Sequence, residues 1–326
     1  MKLIDLNDLK NFKDNSVITI GFFDGLHKGH QVILSTLSSY SKKNNYKSVI
    51  ISFDESVLDL FKMSKNICSV SQKLDSFNAF DIDYVLLLKV SDNFMGLSAK
   101  EFIDNYLEKL NTKIVVCGSD FSFAKNKEGN IDYVRKYTNY DIVSVDDEYV
   151  NDIKISSTYI RNLLSNGKVD LANSLLYEDF NIISKVIQGK KIGRTIGFKT
   201  ANVKVNNQVS LLKKGVYFGK AIIDNKAYKA MINVGINPTI KDSLENIKVE
   251  AHILGIDLDL YDLEIKVIFN KFHREEIKFD SLEKLKQQLT NDANELDKQI
   301  KLKQLYTLYI VVFINIGKVA MKMCKL

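Results

Sequence analysis

Gly21-Phe22-Phe23-Asp24-Gly25-Leu26-His27-Lys28-Gly29-His30 carries two of the chain's four histidines, three residues apart. The apolar run before it, Val17-Ile18-Thr19-Ile20, reads as a buried strand. Gln31 to Tyr40 reads as a helix with apolar residues on one face. The ten residues therefore form a strand-to-helix turn. Glycines at 21, 25 and 29 allow close backbone approach to a ligand, and the helix that follows aims unpaired N–H groups at it, which suits phosphate. His27 and His30 add imidazole donors able to stabilise charge as a phosphorus–oxygen bond breaks. The pattern points to nucleotidyl transfer. The competing reading, a capping or core histidine beside glycines that serve only the turn, fits a lone G-x-H better than this full D-G-x-H-x-G-H motif. A metal-ligand reading is weaker, because no cluster of cysteine, histidine or acidic residues accompanies the pair.

Outward from the turn, the first half alternates short apolar runs with helical patterns. Val17 to Phe23, Ser48 to Phe53, Tyr84 to Leu88, Ile114 to Cys117 and Ile142 to Val145 read as strands of a parallel sheet. Ser98 to Glu101 reads as a capping box opening a helix over Phe102 to Leu110. The expectation is a doubly wound, Rossmann-like α/β domain over 1–180, with the histidine turn after its first strand. From about Asn181 the period changes. Gly215 to Ile223, Tyr228 to Val234, Val249 to Leu254 and Glu264 to Phe269 read as strands without intervening helices, an antiparallel β-barrel domain over 181–304. A polar C-terminal helix is expected from about Ser281, with Asp280 as its cap. Residues 305–326 form an apolar and basic tail whose thirteen-residue apolar run is shorter than the roughly 20 residues of a spanning helix. Core packing, a partner surface or a weak membrane contact are the open uses of that run, core or dimer packing being preferred and stable membrane insertion not expected.

Composition bounds the class. The 326 residues suffice for two cores, and 45% hydrophobic with 26% charged residues is an ordinary globular balance. Three widely spaced cysteines argue for a reducing compartment, and Met1 to Lys13 alternates charged and apolar residues without a secretory pattern, so the expected location is cytoplasmic. Nine of the basic residues fall between Lys185 and Lys220, where there is no acidic residue. That charge suits polyphosphate or nucleic acid, but the aromatic interleaving of a base-stacking surface is missing and no nucleic-acid partner is expected.

Further segments complete the picture. Gly118 to Phe123, G-S-D-F-S-F, leaves a strand with Asp120, Phe121 and Phe123 at its carboxyl end. Ile155 to Arg161, I-S-S-T-Y-I-R, opens a helix capped by Ser156, Ser157 or Thr158, with Arg161 one turn in and able to reach an anion. In the second half, Gly193-Arg194-Thr195-Ile196-Gly197-Phe198-Lys199-Thr200-Ala201-Asn202 is basic and hydroxyl-rich, and Thr200 and Asn202 face one side of an extended segment, where they can share magnesium and its phosphates. Asn233 begins N-V-G-I-N-P-T-I. Glu250, in V-E-A-H, is a half-buried carboxylate suited to act as general base, or an edge-strand Glu paired with lysine.

Together these motifs, with R-E-E-I-K-F at Arg274 to Phe279, resemble the bacterial bifunctional riboflavin kinase/FMN adenylyltransferase (FAD synthetase) family from about residue 15 to 292. The resemblance implies phosphorylation of riboflavin by ATP in the barrel domain and adenylylation of FMN by a second ATP in the first, with Mg2+ as cofactor. It implies His27, His30 and Arg161 as catalytic, and ATP or phosphate contacts from Gly21, Phe22, Asp24, Gly25, Gly29, Ser157 and Thr158. In the barrel it implies Glu250 as base, Gly193, Arg194 and Thr195 at the nucleotide, and Thr200 and Asn202 at magnesium. Flavin contacts are implied for Asp120, Phe121, Phe123, Asn233 and Arg274. The chain departs from the family pattern at Lys199, where proline is usual, at Asp262 and Ala124, where glycine is usual, and at Ser122, where arginine is usual. The alternatives are an enzyme that keeps only the adenylyltransferase activity, or a nucleotide- or flavin-sensing nucleic-acid-binding protein.

Overall fold

The computed structural model describes residues 1–56, 65–188, 197–205, 207–236, 247–256 and 258–299. The chain divides into two units, Met1–Ile182 with Asn206–Lys213, and Ile183–Val205 with Lys214–Leu326.

In the first unit the apolar runs form strands β1 (Lys2–Ile4), β2 (Ser16–Ile20), β3 (Lys47–Phe53), β4 (Tyr84–Leu88) and β5 (Thr112–Gly118). Two short pairs follow, β6 (Ser122–Phe123) with β7 (Gly129–Asn130) and β9 (Tyr149–Val150) with β10 (Ile153–Lys154), on either side of β8 (Asp141–Val145). The main sheet is parallel, in the order β1-β4-β3-β2-β5-β8. Alternate side chains enter separate cores. Val17, Ile50 and Val85 face Leu34, Leu37 and Phe77 on one side, whereas Ile18, Val49, Ile51 and Leu86 join Phe102 and Leu107 on the other. The chain winds from β2 to β4 in one direction and then jumps back across β2 to β5. The carboxyl end of β2 is therefore the switch point of the sheet, and the histidine turn sits there before helix α1 (Lys28–Asn44).

The strand expectations hold to within a few residues, with β1 added at the edge. The capping box at Ser98 is present, but its α-helix covers only Ala99–Phe102 before widening to a π-turn over Ile103–Leu107, in place of a helix over Phe102 to Leu110. Ala124 follows β6 at φ 63°, ψ −177°, a region essentially reserved for glycine. Asp262 lies at φ 61°, in the left-handed region that aspartate tolerates better than most residues.

The second unit, with the first two residues of β11 contributed by the first, forms a closed barrel of six strands, β11 (Asn181–Ile187), β12 (Ala201–Val203), β13 (Gly215–Ile223), β14 (Lys226–Ile236), β15 (Ile247–Ile253) and β16 (Glu264–Arg274), in the order β11-β12-β15-β14-β13-β16. β11 and β12 are additions to the four strands legible in the sequence. Tyr217 fills the interior between Phe269 and Phe272. Gly219 is required by close packing, since a Cβ there would stand 2.0 Å from the Ile268 carbonyl oxygen. The helix 282–299 lays Leu289, Ala293 and Leu296 on Phe218 and Met231. Its cap is Ser281, which accepts from the Lys284 N–H at 3.3 Å, whereas Asp280 pairs with the Lys284 ammonium. The expected Asp280 cap is thus displaced by one residue. The expected tail 305–326 lies outside the described residues.

Two substitutions test this account in denaturant. Ala124→Gly releases a strained backbone and raises stability by about 1 kcal/mol. Gly219→Ala forces strands apart and lowers it by about 1–3 kcal/mol, read in both cases as a shift in urea midpoint.

Candidate active sites

In the first unit the turn is built by strain and burial. Phe23 adopts a left-handed conformation at φ 54° and packs edge-on against His30 and Phe77. Gly25, at φ 76°, lies so close to Ile67 that a Cβ would fall 2.7 Å from its side chain. Asp24 is 2% exposed and accepts from the Ile67 N–H at 2.8 Å and the Cys68 N–H at 3.2 Å. It also pairs with Arg161, whose Nε donates to the Lys65 carbonyl at 3.0 Å. Burial pushes the Asp24 carboxyl upward, against the pull of Arg161, the two N–H groups and Lys73. Ser157 donates to the Asp24 carbonyl oxygen at 3.2 Å. The helix Ser157–Ser165 is capped by Ser156, and Thr158 is exposed.

His27 and His30 stack at 3.7 Å between ring centroids, 22° from parallel. His27 holds the N-cap position of α1 without making a side-chain cap bond, so the helix mouth stays open to an acceptor. Burial first, then Lys154 and Arg161, lower the His27 pKa from 6.5 to about 4. Burial, His27 and Lys73 hold His30 well below its ordinary value. Both rings are neutral at pH 7. Each Nδ1 is buried and without a hydrogen-bond partner among the described residues, the kind of group that calls for an external partner.

Two lysines absent from the sequence reading complete the setting. Lys73, 2% exposed on the helix Val70–Phe77, donates to the carbonyls of Phe22 at 3.0 Å and Phe53 at 2.8 Å and lies 4.4 Å from the Phe22 ring centroid. Burial lowers its pKa to about 8. Its place four residues before the buried Phe77 was the available signal. Lys154 bridges Asp120 at 2.8 Å and Asp147 at 2.9 Å, which ties the Asp120 loop to the field of His27. Phe121 packs partly buried beside Phe123. Phe123 itself is 7% exposed and packed on Phe102.

In the barrel, register gathers three expected residues. Asn202, Glu250 and Asn233 are direct partners across β12, β15 and β14 and share one face. Glu250 is on a central strand, not an edge, and Lys248 Nζ lies 2.7 Å from its Oε1. Asn233 Nδ2 donates to Glu276 at 3.3 Å. Thr200 is exposed just before β12. The Arg274 guanidinium is held at 2.7 Å by the buried Asp292, which also bonds His273 and accepts from Gln288, and the pair ties β16 to the helix 282–299. Gly193, Arg194 and Thr195 lie outside the described residues. The hydroxyl and amide oxygens of Thr200 and Asn202 are hard donors that fit Mg2+ carrying phosphates.

Residues 9–159 match the family model for FAD synthetase and residues 176–300 the one for riboflavin kinase. A bifunctional riboflavin kinase/FMN adenylyltransferase of Buchnera aphidicola subsp. Schizaphis graminum is 36% identical over 312 residues, 93% of this chain and 100% of the relative. The chain belongs to the bifunctional riboflavin kinase/FMN adenylyltransferase family. The Escherichia coli (strain K12) protein of that name is 34% identical over 288 residues, 86% of this chain and 91% of the relative. A crystal structure described as a macrolide-efflux protein from Streptococcus pneumoniae superposes with a TM-score of 0.81 at 28% identity, covering 90% of this chain and 97% of the other. Among the described residues no helix is long and apolar enough to cross a membrane. As a family member the chain carries both an FAD synthetase and a riboflavin kinase domain.

The neutral histidines give a pH signature. With its folded pKa depressed, His27 takes up a proton in the unfolded chain first as pH falls. Stability is therefore full above about 6.5 and declines between 6.5 and about 4, by on the order of 3 kcal/mol from this residue. Urea unfolding at pH 7.5 and 5 measures the decline, and His27→Gln should flatten it.

Proposed function

We propose that the barrel unit transfers the γ-phosphoryl group of ATP to the terminal hydroxyl of riboflavin, and that the first unit joins the resulting FMN to AMP from a second ATP, releasing pyrophosphate. The observation that carries the second step is the stacked, neutral His27–His30 pair at the switch point, with unpartnered ring nitrogens beside an open helix mouth. A triphosphate seated in the turn supplies the anion those groups lack. The main-chain N–H groups at the start of α1, Ser157, Thr158 and Arg161 then surround it, and Asp24 keeps the guanidinium fixed. An FMN phosphate oxygen attacks the α-phosphorus, the bond to the β-phosphate oxygen breaks, and charge accumulating on pyrophosphate is met by His27, His30 and Arg161. Asp120 and Phe121 lie at the carboxyl end of β5, where they can approach the flavin. Positioning and charge neutralisation suffice, without a covalent enzyme intermediate.

In the barrel, Glu250 accepts the proton of the riboflavin hydroxyl as that oxygen attacks the γ-phosphorus, the bond from that phosphorus to the β–γ bridging oxygen breaks and ADP leaves, and Asn233 steadies the flavin from the neighbouring strand. Thr200 and Asn202 hold Mg2+, which when bound neutralises phosphate charge; Gly193, Arg194 and Thr195 belong to the same nucleotide site. Glu250 must exchange its Lys248 partner to take that proton. That ion pair, with lysine at 199, favours the second reading, an enzyme that retains adenylylation alone. Small molecules, riboflavin, FMN and ATP, are the partners in either reading, and the cytoplasm is the compartment that supplies them.

Incubation with riboflavin, ATP and Mg2+, followed by chromatographic separation, should yield FMN and then FAD. His30→Ala should let FMN accumulate, with FAD formation slowed about 100–1,000-fold. Glu250→Gln should slow FMN formation about 100-fold or more while supplied FMN still becomes FAD. Equal loss of both reactions in both variants, with folding intact, would contradict two separate sites. FAD from supplied FMN with no FMN from riboflavin in the unaltered protein would establish the second reading.

A further inference from the structure

Gln208 stands in sequence between β12 and β13, two barrel strands, yet residues 206–213 belong to the first unit. The side chain is 2% exposed there. Its Nε2 donates to the Ile67 carbonyl at 3.0 Å, to Gln72 Oε1 at 2.9 Å and to the Asn181 carbonyl at 3.3 Å. Ile67 in turn donates its N–H to both oxygens of Asp24, at 2.8 and 3.1 Å, and Asp24 holds Arg161. Arg161 closes the ring through its bond to the Lys65 carbonyl. Residues 65–68 are thus clamped, by Gln208 at one peptide and by Asp24 and Arg161 at the neighbouring groups, flat against Gly25. A buried carbonyl with one donor removed must be re-satisfied by movement or left bare.

We propose that Gln208 is a positioning residue for adenylyl transfer. Although its sequence neighbours are strands of the kinase barrel, it sets segment 65–68 so that Asp24 holds the Arg161 guanidinium where it meets the ATP phosphates. The inference rests on the assignment of adenylylation to the first unit. Nothing in the histidine turn or the helix of Arg161 reveals it, because the residue lies more than forty positions beyond Arg161 in the chain.

The test uses the full chain and both reactions. Gln208→Met keeps the length of the side chain and removes its donors. It should raise the KM for ATP in adenylylation of supplied FMN and lower kcat/KM about tenfold, with riboflavin phosphorylation within twofold of the unaltered protein. Gln208→Asn, which keeps an amide donor, should recover part of the loss, and it serves as the working variant if Gln208→Met does not fold. Combined with Asp24→Asn, the loss from Gln208→Met should largely vanish, since both act through the same segment. Unchanged adenylylation, equal falls in both reactions, or fully multiplicative losses in the double variant would each overturn the proposal. If the unaltered protein makes FMN but no FAD, the assignment of adenylylation fails, and this proposal with it.

Discussion

The Asp24 carboxylate, nearly sealed from water inside the phosphate turn, is the constraint around which the first unit is organised. A buried anion is tolerated only when donors surround it. The chain supplies Arg161 from one helix, two backbone N–H groups from the segment before α2 (Val70–Phe77), and the nearby ammonium of Lys73. Those same partners fix the guanidinium, the wall of the turn and the carbonyl of Phe22. The charge that would be costly alone becomes the means by which four separated parts of the sequence hold one geometry. Its counterpart in the barrel unit is Asp292, which gathers Arg274, His273 and Gln288 in the same manner.

Much of this was legible in the sequence because the signals were periodic or punctuated. The parallel strands were continuous apolar runs, and the histidine turn was marked by glycines at a spacing that few purely structural turns need. Four barrel strands showed as runs between turn residues. What escaped had physical causes. β12 is three residues long and embedded in a motif read for its polar groups. β1 carries two exposed residues at a sheet edge. The helix after Ser98 begins with the anticipated cap but widens at once, which no local pattern announces. Lys73 was hidden by the ordinary habit of reading lysine as solvated, and only its helical phase with Phe77 marks it as internal.

The site readings divided in the same way. Asn202, Glu250 and Asn233 were chosen from separate motifs, and strand register sets them side by side. Phe123 lies in the core and Arg274 pairs with a buried carboxylate. Pairing partners that lie far along the chain, such as Asp292 for Arg274, are invisible to motif reading. The departures from the family pattern are more informative than they first looked. At both positions where glycine is usual the backbone still takes a positive φ, so alanine and aspartate have been accepted into conformations that glycine would occupy without strain.

The division of the chain also bears on how the protein is made. Chains emerge from the ribosome at about 5–20 residues per second, and leading domains ordinarily fold before trailing ones are complete. Here the first unit takes in residues up to 182 and then waits for 206–213, a delay of roughly 2–6 seconds at those rates. Throughout that interval the Ile67 carbonyl lacks its Gln208 donor. The leading half of the nascent protein therefore reaches its final form only after the start of the barrel has been translated.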